Sequence, residues 1–378
     1  NFTIMKICKK CIQPDTRPKI YFNEEGICGA CLWYEEKKKI DWKERESKLN
    51  EIATNAKKSS SGNYDCVVGV SGGKDSLKQA ITARDRLGLR CLLVNGEPDN
   101  ITEIGRNNME NLKNLGFDVL SLRPNPKIME KLVKRDFYKY LNPVKITEYS
   151  LYASSYIIAE KFDIPLIIQG ENAALTLGIS LSGLGKGYDA LDVNESPTLG
   201  FGWKEYLEQD GIVEKDLGLF HYDKNKLRER NTQAIYIQYF LKEWSYRGNA
   251  EFAQKYGMKI RENFDPNDVG SYMEFAQLDT NMHVVNQMLK WIKFGFGECV
   301  DHACYDLRDG KISRLEAIEL VKKYDGKCNP KFIDEFCQSI NISIDEFWKI
   351  VNKFRGPMWK KDEQNNWKNT YIEMLDVL

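Results

Sequence analysis

Ser71-Gly72-Gly73-Lys74-Asp75-Ser76 decides how this chain is read. It follows an apolar run, Asp65-Cys66-Val67-Val68-Gly69-Val70, and opens a stretch of helical spacing over 75–87, so it lies where a strand turns into a helix. Two adjacent glycines let the backbone turn tightly and bring its N–H groups near an anion. The helix N-terminus adds unpaired donors and a partial positive charge. Lys74 adds a full charge, and Ser71 and Ser76 add hydroxyls that donate to phosphate oxygens. Asp75 suits a phosphate site only with a cation between the two, and Mg2+ is the natural one.

Outward from that loop the chain alternates. A strand-like run over 90–97 is followed by a helical pattern over 102–115 and a strand over 117–122. Helical stretches over 126–141 and 146–162 then lead to an apolar strand from 164 that ends in Gly170-Glu171-Asn172. This order indicates an α/β fold, a parallel sheet with helices on both faces. Ligands of such sheets lie beyond the carboxyl ends of the strands. Asn95 and Gly96 end the second strand on that edge, and Gly170 and Glu171 end the last; a plain strand-ending turn is one reading of Asn95 and Gly96.

Before the loop, Cys8-Lys9-Lys10-Cys11 and Cys28-Gly29-Ala30-Cys31 form two Cys-x2-Cys knuckles, with a strand, turn and strand expected over 21–27. Four thiolates at this separation suit tetrahedral Zn2+, and with all four positions taken the metal would be structural; a redox pair would need only one knuckle. Residues 33–58 are charged and helix-compatible, and 59–63 read as a linker. The expected organisation is a four-cysteine zinc module over 5–45, a catalytic domain over 60–260 and a helical C-terminal region over 275–378. Asn1 to Ile4, before Met5, are set aside.

The Gly-rich polar segment over 178–202 reads as a substrate-covering lid rather than a plain surface loop. The stretch 223–256 has helical, aromatic-rich spacing, with Tyr236, Tyr239, Phe240, Trp244, Tyr246 and Phe252, and reads chiefly as core. Cys299, His302, Cys304 and Cys328 fit no standard metal spacing and read as buried thiols and a polar contact.

The 378 residues allow two or three domains. Basic and acidic residues balance at 55 each, so no overall basic field favours nucleic acid, and 42% hydrophobic with 29% charged residues is ordinary for a globular protein. No apolar run is long enough to span a bilayer and no signal-peptide core is evident, so the chain reads as cytoplasmic. Ten cysteines in such a chain point to metal and free thiols rather than a disulfide framework.

The loop matches neither the Walker spacing nor the dinucleotide-binding glycine pattern. It resembles the PP-loop of the ATP pyrophosphatase superfamily, whose fold is the Rossmann-like, adenine nucleotide alpha hydrolase-like parallel sheet. Those enzymes cleave ATP between the α- and β-phosphates and adenylylate a carbonyl oxygen. Taken with the cysteine knuckles, Gly170-Glu171-Asn172 and the run Lys293-Phe294-Gly295-Phe296-Gly297, Asp301-His302, Arg314, Glu316-Ala317, nearly the whole chain resembles the N-acetyl sugar amidotransferase family. The resemblance implies conversion of an acetamido group on a bacterial surface-glycan sugar to an acetamidino group. It implies ATP and Mg2+ as cofactors, with Ser71, Gly72, Gly73, Lys74, Asp75 and Ser76 on the phosphates, Asn95, Gly96, Gly170 and Glu171 beside the nucleotide, and Lys74 and Asp75 central to catalysis, Asp75 through Mg2+.

No Gly-x-Cys-x-Gly turn of a glutaminase is present, so a partner subunit or free ammonium would supply the nitrogen, and the family resemblance implies a separate glutaminase of the histidine-biosynthesis type. No membrane and no nucleic acid partner is expected. The alternative is a PP-loop tRNA thiolase, which usually carries further paired cysteines; Cys66 and Cys91 are single residues inside strands. A non-catalytic nucleotide-binding module is the remaining rival.

Overall fold

A computed structural model describes residues 5–179, 187–191, 202–207 and 211–376. After α1 (Gly29–Lys37) and α2 (Trp42–Ser59), strand and helix alternate through β1 (Cys66–Gly69), α3 (Lys74–Ile81), β2 (Cys91–Gly96), α4 (Glu103–Asn114) and β3 (Asp118–Leu122). Two helices, α5 (Pro126–Tyr140) and α6 (Lys145–Phe162), return the chain to β4 (Leu166–Gln169). Then come α7 (Ala173–Thr176), α8 (Lys224–Glu229), β5 (Gln233–Tyr236) and α9 (Tyr246–Lys255). The C-terminal part contains α10 (Pro266–Val269), α11 (Asn281–Phe294), α12 (Glu298–Arg308), α13 (Arg314–Tyr324), α14 (Pro330–Ser339) and α15 (Ile344–Lys353). A hairpin of β6 (Trp359–Lys361) and β7 (Trp367–Asn369) and a last helix, α16 (Thr370–Leu375), follow.

The five-stranded sheet has the order β3-β2-β1-β4-β5, and every neighbouring pair is parallel. Side chains alternate across it, as a strand's two-residue period requires. Val67, Leu92, Val94, Ile167 and Ala234 enter a core with α5, α6 and α11. Val68, Leu93, Ile168 and Ile235 enter the opposite core with α2, α3 and α9. Burying each of these Val, Leu or Ile side chains contributes about 1.5–3 kcal/mol. The chain runs outward one way from β1 to β3 and the other way from β4 to β5, so the loops after β1 and β4 flank the switch point, where such sheets bind ligands.

One expectation is corrected. The stretch 223–256 is not continuously helical: it contains β5 and a 3-10 turn over Ile237–Phe240 between its two helices. Asn231, with φ of 56°, ends the first helix, and four residues are too few to show a strand period. Pairing with β4, Leu166 opposite Gln233, makes this segment a strand. Of the segment over 178–202, residues 180–186 and 192–201 lie outside the described residues.

The Phe294-Gly295-Phe296-Gly297 run joins α11 to α12. Gly295, at φ of +83°, closes α11 with its N–H bonded to the Trp291 carbonyl (2.8 Å). Gly297 begins α12, where its N–H and that of Cys299 donate to the Asp325 carboxylate at 2.7 and 3.0 Å. A Cβ on Gly297 would sit 2.7 Å from Asp325 Oδ1, so glycine makes room for the carboxylate that caps α12.

Candidate active site and cysteine centre

The Ser71–Ser76 loop turns at Gly72, whose φ of +82° suits glycine; a Cβ there would also lie 3.2 Å from the Met109 backbone nitrogen. Gly73 is the N-cap of α3 and no side chain caps that end. Inside the loop Ser76 Oγ accepts from the Ser71 N–H (2.8 Å) and lies 3.4 Å from Ser71 Oγ. Lys74 is 9% exposed, its Nζ 2.5 Å from Asp75 Oδ2 and 3.9 Å from the centroid of the Tyr246 ring. Asp75 Oδ1 in turn accepts from Nδ2 of Asn249 at 2.7 Å. Asn249 is fully buried, and its Oδ1 has no partner among the described residues.

Glu171 joins this group from the end of β4. Its carboxyl is pushed up to about 7, chiefly by burial and next by the negative charge of Asp75, with Lys74 opposing both. Lys74, Asp75 and Glu171 line one cavity of about 60 Å3. Its other walls come from distant parts of the chain: Trp33 and Lys37 of α1, Trp244 and Tyr246 around the start of α9, and Tyr305 and Arg308 of α12.

The other candidate residues are placed differently. Asn95 is buried, donates through Nδ2 to the Val70 carbonyl (2.9 Å), and lines a separate cavity of about 880 Å3 with Glu97, Arg106 and Arg123. Gly96 faces α6 so closely that a Cβ would lie 2.8 Å from Leu151 Cα. At Gly170 a Cβ would meet Gln79 Nε2 at 2.5 Å. The absence of a side chain at these two glycines therefore has a packing reason.

Sequence reading missed Asn249 and Arg308 as neighbours of the loop and read Tyr246 chiefly as core, leaving open that one or two aromatics of 223–256 line a substrate pocket without saying which. Their only signal was membership of helical, polar-aromatic stretches, because the contact between Asn249 and Asp75 spans 174 positions.

At the N-terminal end, the sulfurs of Cys8, Cys11, Cys28 and Cys31 all lie within 4.8 Å of one another and all four residues are buried. Cys8 Sγ is 3.9 Å from Cys31 Sγ, and Cys11 Sγ is 3.7 Å from Cys28 Sγ. A tetrahedron with Zn–S bonds of about 2.3 Å has sulfurs roughly 3.8 Å apart, so the set fits Zn2+. These separations are far beyond a disulfide bond of about 2.05 Å. The Cys28 N–H points at Cys8 Sγ (3.2 Å) and the Gln13 N–H at Cys11 Sγ (3.5 Å), as backbone donors do around metal-bound thiolates. Arg308 Nε reaches Cys31 Sγ at 3.4 Å and Nη2 reaches Cys11 Sγ at 3.9 Å, so the residue that touches the sulfurs also lines the cavity of Lys74.

Among the described residues no other group of three or more metal-type ligands converges. His302 bonds instead to Tyr246 Oη (2.7 Å) and Ser271, and burial lowers its imidazole to about 3. Cys299 and Cys304 are buried thiols and Cys328 is half-buried.

The fold and site describe an α/β protein with a parallel sheet, an anion-suited loop at its switch point and a four-cysteine centre that could hold a metal such as zinc. Residues 260–374 match the family described as "LPS biosynthesis protein WbpG-like, C-terminal domain", which ties this part of the chain to bacterial glycan biosynthesis. No curated protein matches the chain. No helix among the described residues is long and apolar enough to cross a membrane.

Proposed function

We propose that the protein is an ATP-dependent, AMP- and pyrophosphate-forming amidotransferase that converts the N-acetyl group of a bacterial surface-glycan sugar to an acetamidino group. The observation that carries this reading is the meeting, in one cavity, of Lys74 and Asp75 with α12, which lies inside the stretch matching the lipopolysaccharide-biosynthesis family. A phosphate-suited loop is thereby joined to a glycan-associated wall.

An amide is a poor electrophile whose oxygen leaves only after activation. The amide oxygen attacks the α-phosphorus of ATP, the bond to the bridging oxygen breaks and pyrophosphate departs, leaving a cationic O-adenylyl imidate. Ammonia then adds to the imidate carbon, AMP leaves from that carbon, and the product is the protonated amidine.

The loop N–H groups, the Ser71 and Ser76 hydroxyls and Lys74 hold and neutralise the departing phosphates. Asp75, oriented by Asn249, would hold Mg2+, which would offset charge on the phosphates. No covalent nucleophile is required. The ten cysteines support an external nitrogen source: four form the sulfur cluster, Cys66 and Cys91 open their strands at the end away from the loop, and the other four are buried or half-buried. Ammonia comes, in this reading, from a separate glutaminase subunit. The position of Cys66 and Cys91 also counts against a tRNA thiolase, which needs a sulfur carrier near the activated carbon.

The test is mass spectrometry of ATP, Mg2+, ammonium and a panel of N-acetylated nucleotide sugars and nonulosonic acids incubated with the protein. Exchange of an amide oxygen for NH lowers the product mass by about one dalton, with AMP and pyrophosphate formed alongside. AMP formation that depends instead on tRNA and a sulfur donor would overturn the reading.

A further inference from the structure

The cavity beside Lys74 is too small for a sugar and differently lined from a phosphate site. At about 60 Å3, and with one water needing roughly 10–15 Å3 of such space, it admits about four to six non-hydrogen atoms. A pyranose exceeds that. An acetamido group, with its methyl, carbonyl carbon, oxygen and nitrogen, does not.

The lining has two characters. Trp33, Trp244 and Tyr305 present aromatic surface; at the loop end Lys74, Asp75 and Glu171 present one donor group and two carboxyls, and Lys37, Arg308 and Asp309 add charged groups on the walls from α1 and α12. Resting on the amidotransferase reading, we infer that this cavity receives the acetamido group of the acceptor, its methyl among the aromatic rings and its carbonyl oxygen toward Lys74.

The orientation follows from chemistry. A lysine ammonium only donates, so Lys74 takes the carbonyl oxygen; with Asp75 already engaged by Lys74 and Asn249, the Glu171 carboxyl takes the amide N–H. That arrangement sets the oxygen beside the N-terminus of α3, where the phosphates bind and where it must meet phosphorus. The sugar ring stays at the mouth. Walls on α1 and α12 limit the acyl chain: acetyl fits, longer acyl groups collide, and a free amine leaves the aromatic surface without a methyl. Discrimination on the order of tenfold or more is the scale of such a methyl-sized pocket.

The experiment uses the full chain labelled with 5-fluorotryptophan, the Trp33 and Trp244 fluorine signals being assigned through Trp33→Phe and Trp244→Phe. N-acetylglucosamine, UDP-N-acetylglucosamine and N-acetylneuraminic acid are titrated, each against its free amine and its N-butanoyl analogue. The expected result is a saturable shift of the Trp33 or Trp244 signal with an N-acetyl probe, at least tenfold weaker with the amine and the butanoyl analogue. A Thr176→Leu variant, which fills the cavity, should lose that shift while keeping its thermal midpoint.

Equal response to amine and amide, a shift confined to other tryptophans, no shift with any probe, or normal binding by Thr176→Leu overturns the proposal. A selective shift without AMP formation from any sugar would remove the reaction and keep an N-acetyl site. AMP formation from a sugar without the shift would remove the pocket alone.

Discussion

The sheet and the cysteine centre border the same cavity but are held together by different physics. Around β1 to β5, apolar side chains fill two opposed cores, so stability is spread over many residues and no single one is indispensable. The centre formed by Cys8, Cys11, Cys28 and Cys31 has little core of its own. Around it isolated strand bridges, Ile7 with Pro14 and Phe22 with Cys28, order the backbone, its cysteines and Ile12 share a buried cluster with Phe296, Val300 and Ala303 of the C-terminal part, and arginines of that part clamp it: Arg308 on the sulfurs, Arg314 on the Cys8 carbonyl (3.2 Å). One region thus spreads its stability over two cores and the other gathers four buried thiols that could hold a metal ion, and α1, which carries Cys31 of the second knuckle, is a wall of the site.

The largest expected effect separates the two. Chelation, or Cys28→Ser, should remove the metal and disorder residues 5–37, with loss of several kcal/mol out of the roughly 10–16 kcal/mol typical of structural zinc sites. Hydrogen exchange should show opening there while β1, β2 and β4 stay protected. Uniform loss of protection would mean that the sheet is not an independent core. The converse is Lys74→Ala, which should retain full metal content but lose about 10²–10³-fold in the rate of AMP formation, the scale of removing one preorganised charge-stabilising donor. Asn249→Ala should cost less, about tenfold, and raise the Mg2+ concentration required, because Asp75 keeps its charge and loses only its orientation.

Packing gives the next contrast. Gly96→Ala forces a Cβ to within 2.8 Å of Leu151 Cα, which belongs to the backbone of α6 and cannot rotate away. Overpacking of this kind costs about 1–3 kcal/mol. Gly62→Ala, with nothing within 4 Å, should be neutral. Denaturant unfolding of both variants measures the difference.

These contrasts also mark what the sequence made legible. β1, β2 and β4 could be read from apolar runs and their turns, because each is buried on both faces and needs no partner to reveal it, whereas the half-buried edge strand β3 was legible from its place in the strand-helix alternation. β5 could not, since Gln233-Ala234-Ile235-Tyr236 becomes a strand only by pairing with β4. The loop from Ser71 to Ser76 was readable because its chemistry is contiguous, and the cysteine pairs because thiolate spacing is set locally. Tyr246, Asn249 and Arg308 reach the same cavity through helix packing, which leaves no mark at a fixed offset in the chain.

The last contrast concerns two buried groups on α12 and its cap. His302 is neutral in the fold, its imidazole lowered by burial from 6.5 to about 3, with Tyr246 and Ser271 as partners and the Glu298 carboxylate 3.6 Å away. Its folded pKa lies below its unfolded one, so the unfolded chain takes up the proton first. Its contribution is complete above pH 6.5 and is lost as pH falls toward 3, at about 1.4 kcal/mol per pH unit. Asp325 has the opposite sign: burial raises its carboxyl from 3.8 to about 7, so its contribution is complete below 3.8 and is lost as pH rises through 7. Between pH 4 and 6.5 the two slopes oppose each other, and the wild-type stability profile should be nearly flat with respect to them. His302→Gln should therefore make the protein gain stability as pH falls through that window, and Asp325→Asn should make it lose stability. Chemical denaturation across pH measures both slopes, and parallel profiles for wild type and His302→Gln would mean that His302 is not held neutral in the fold.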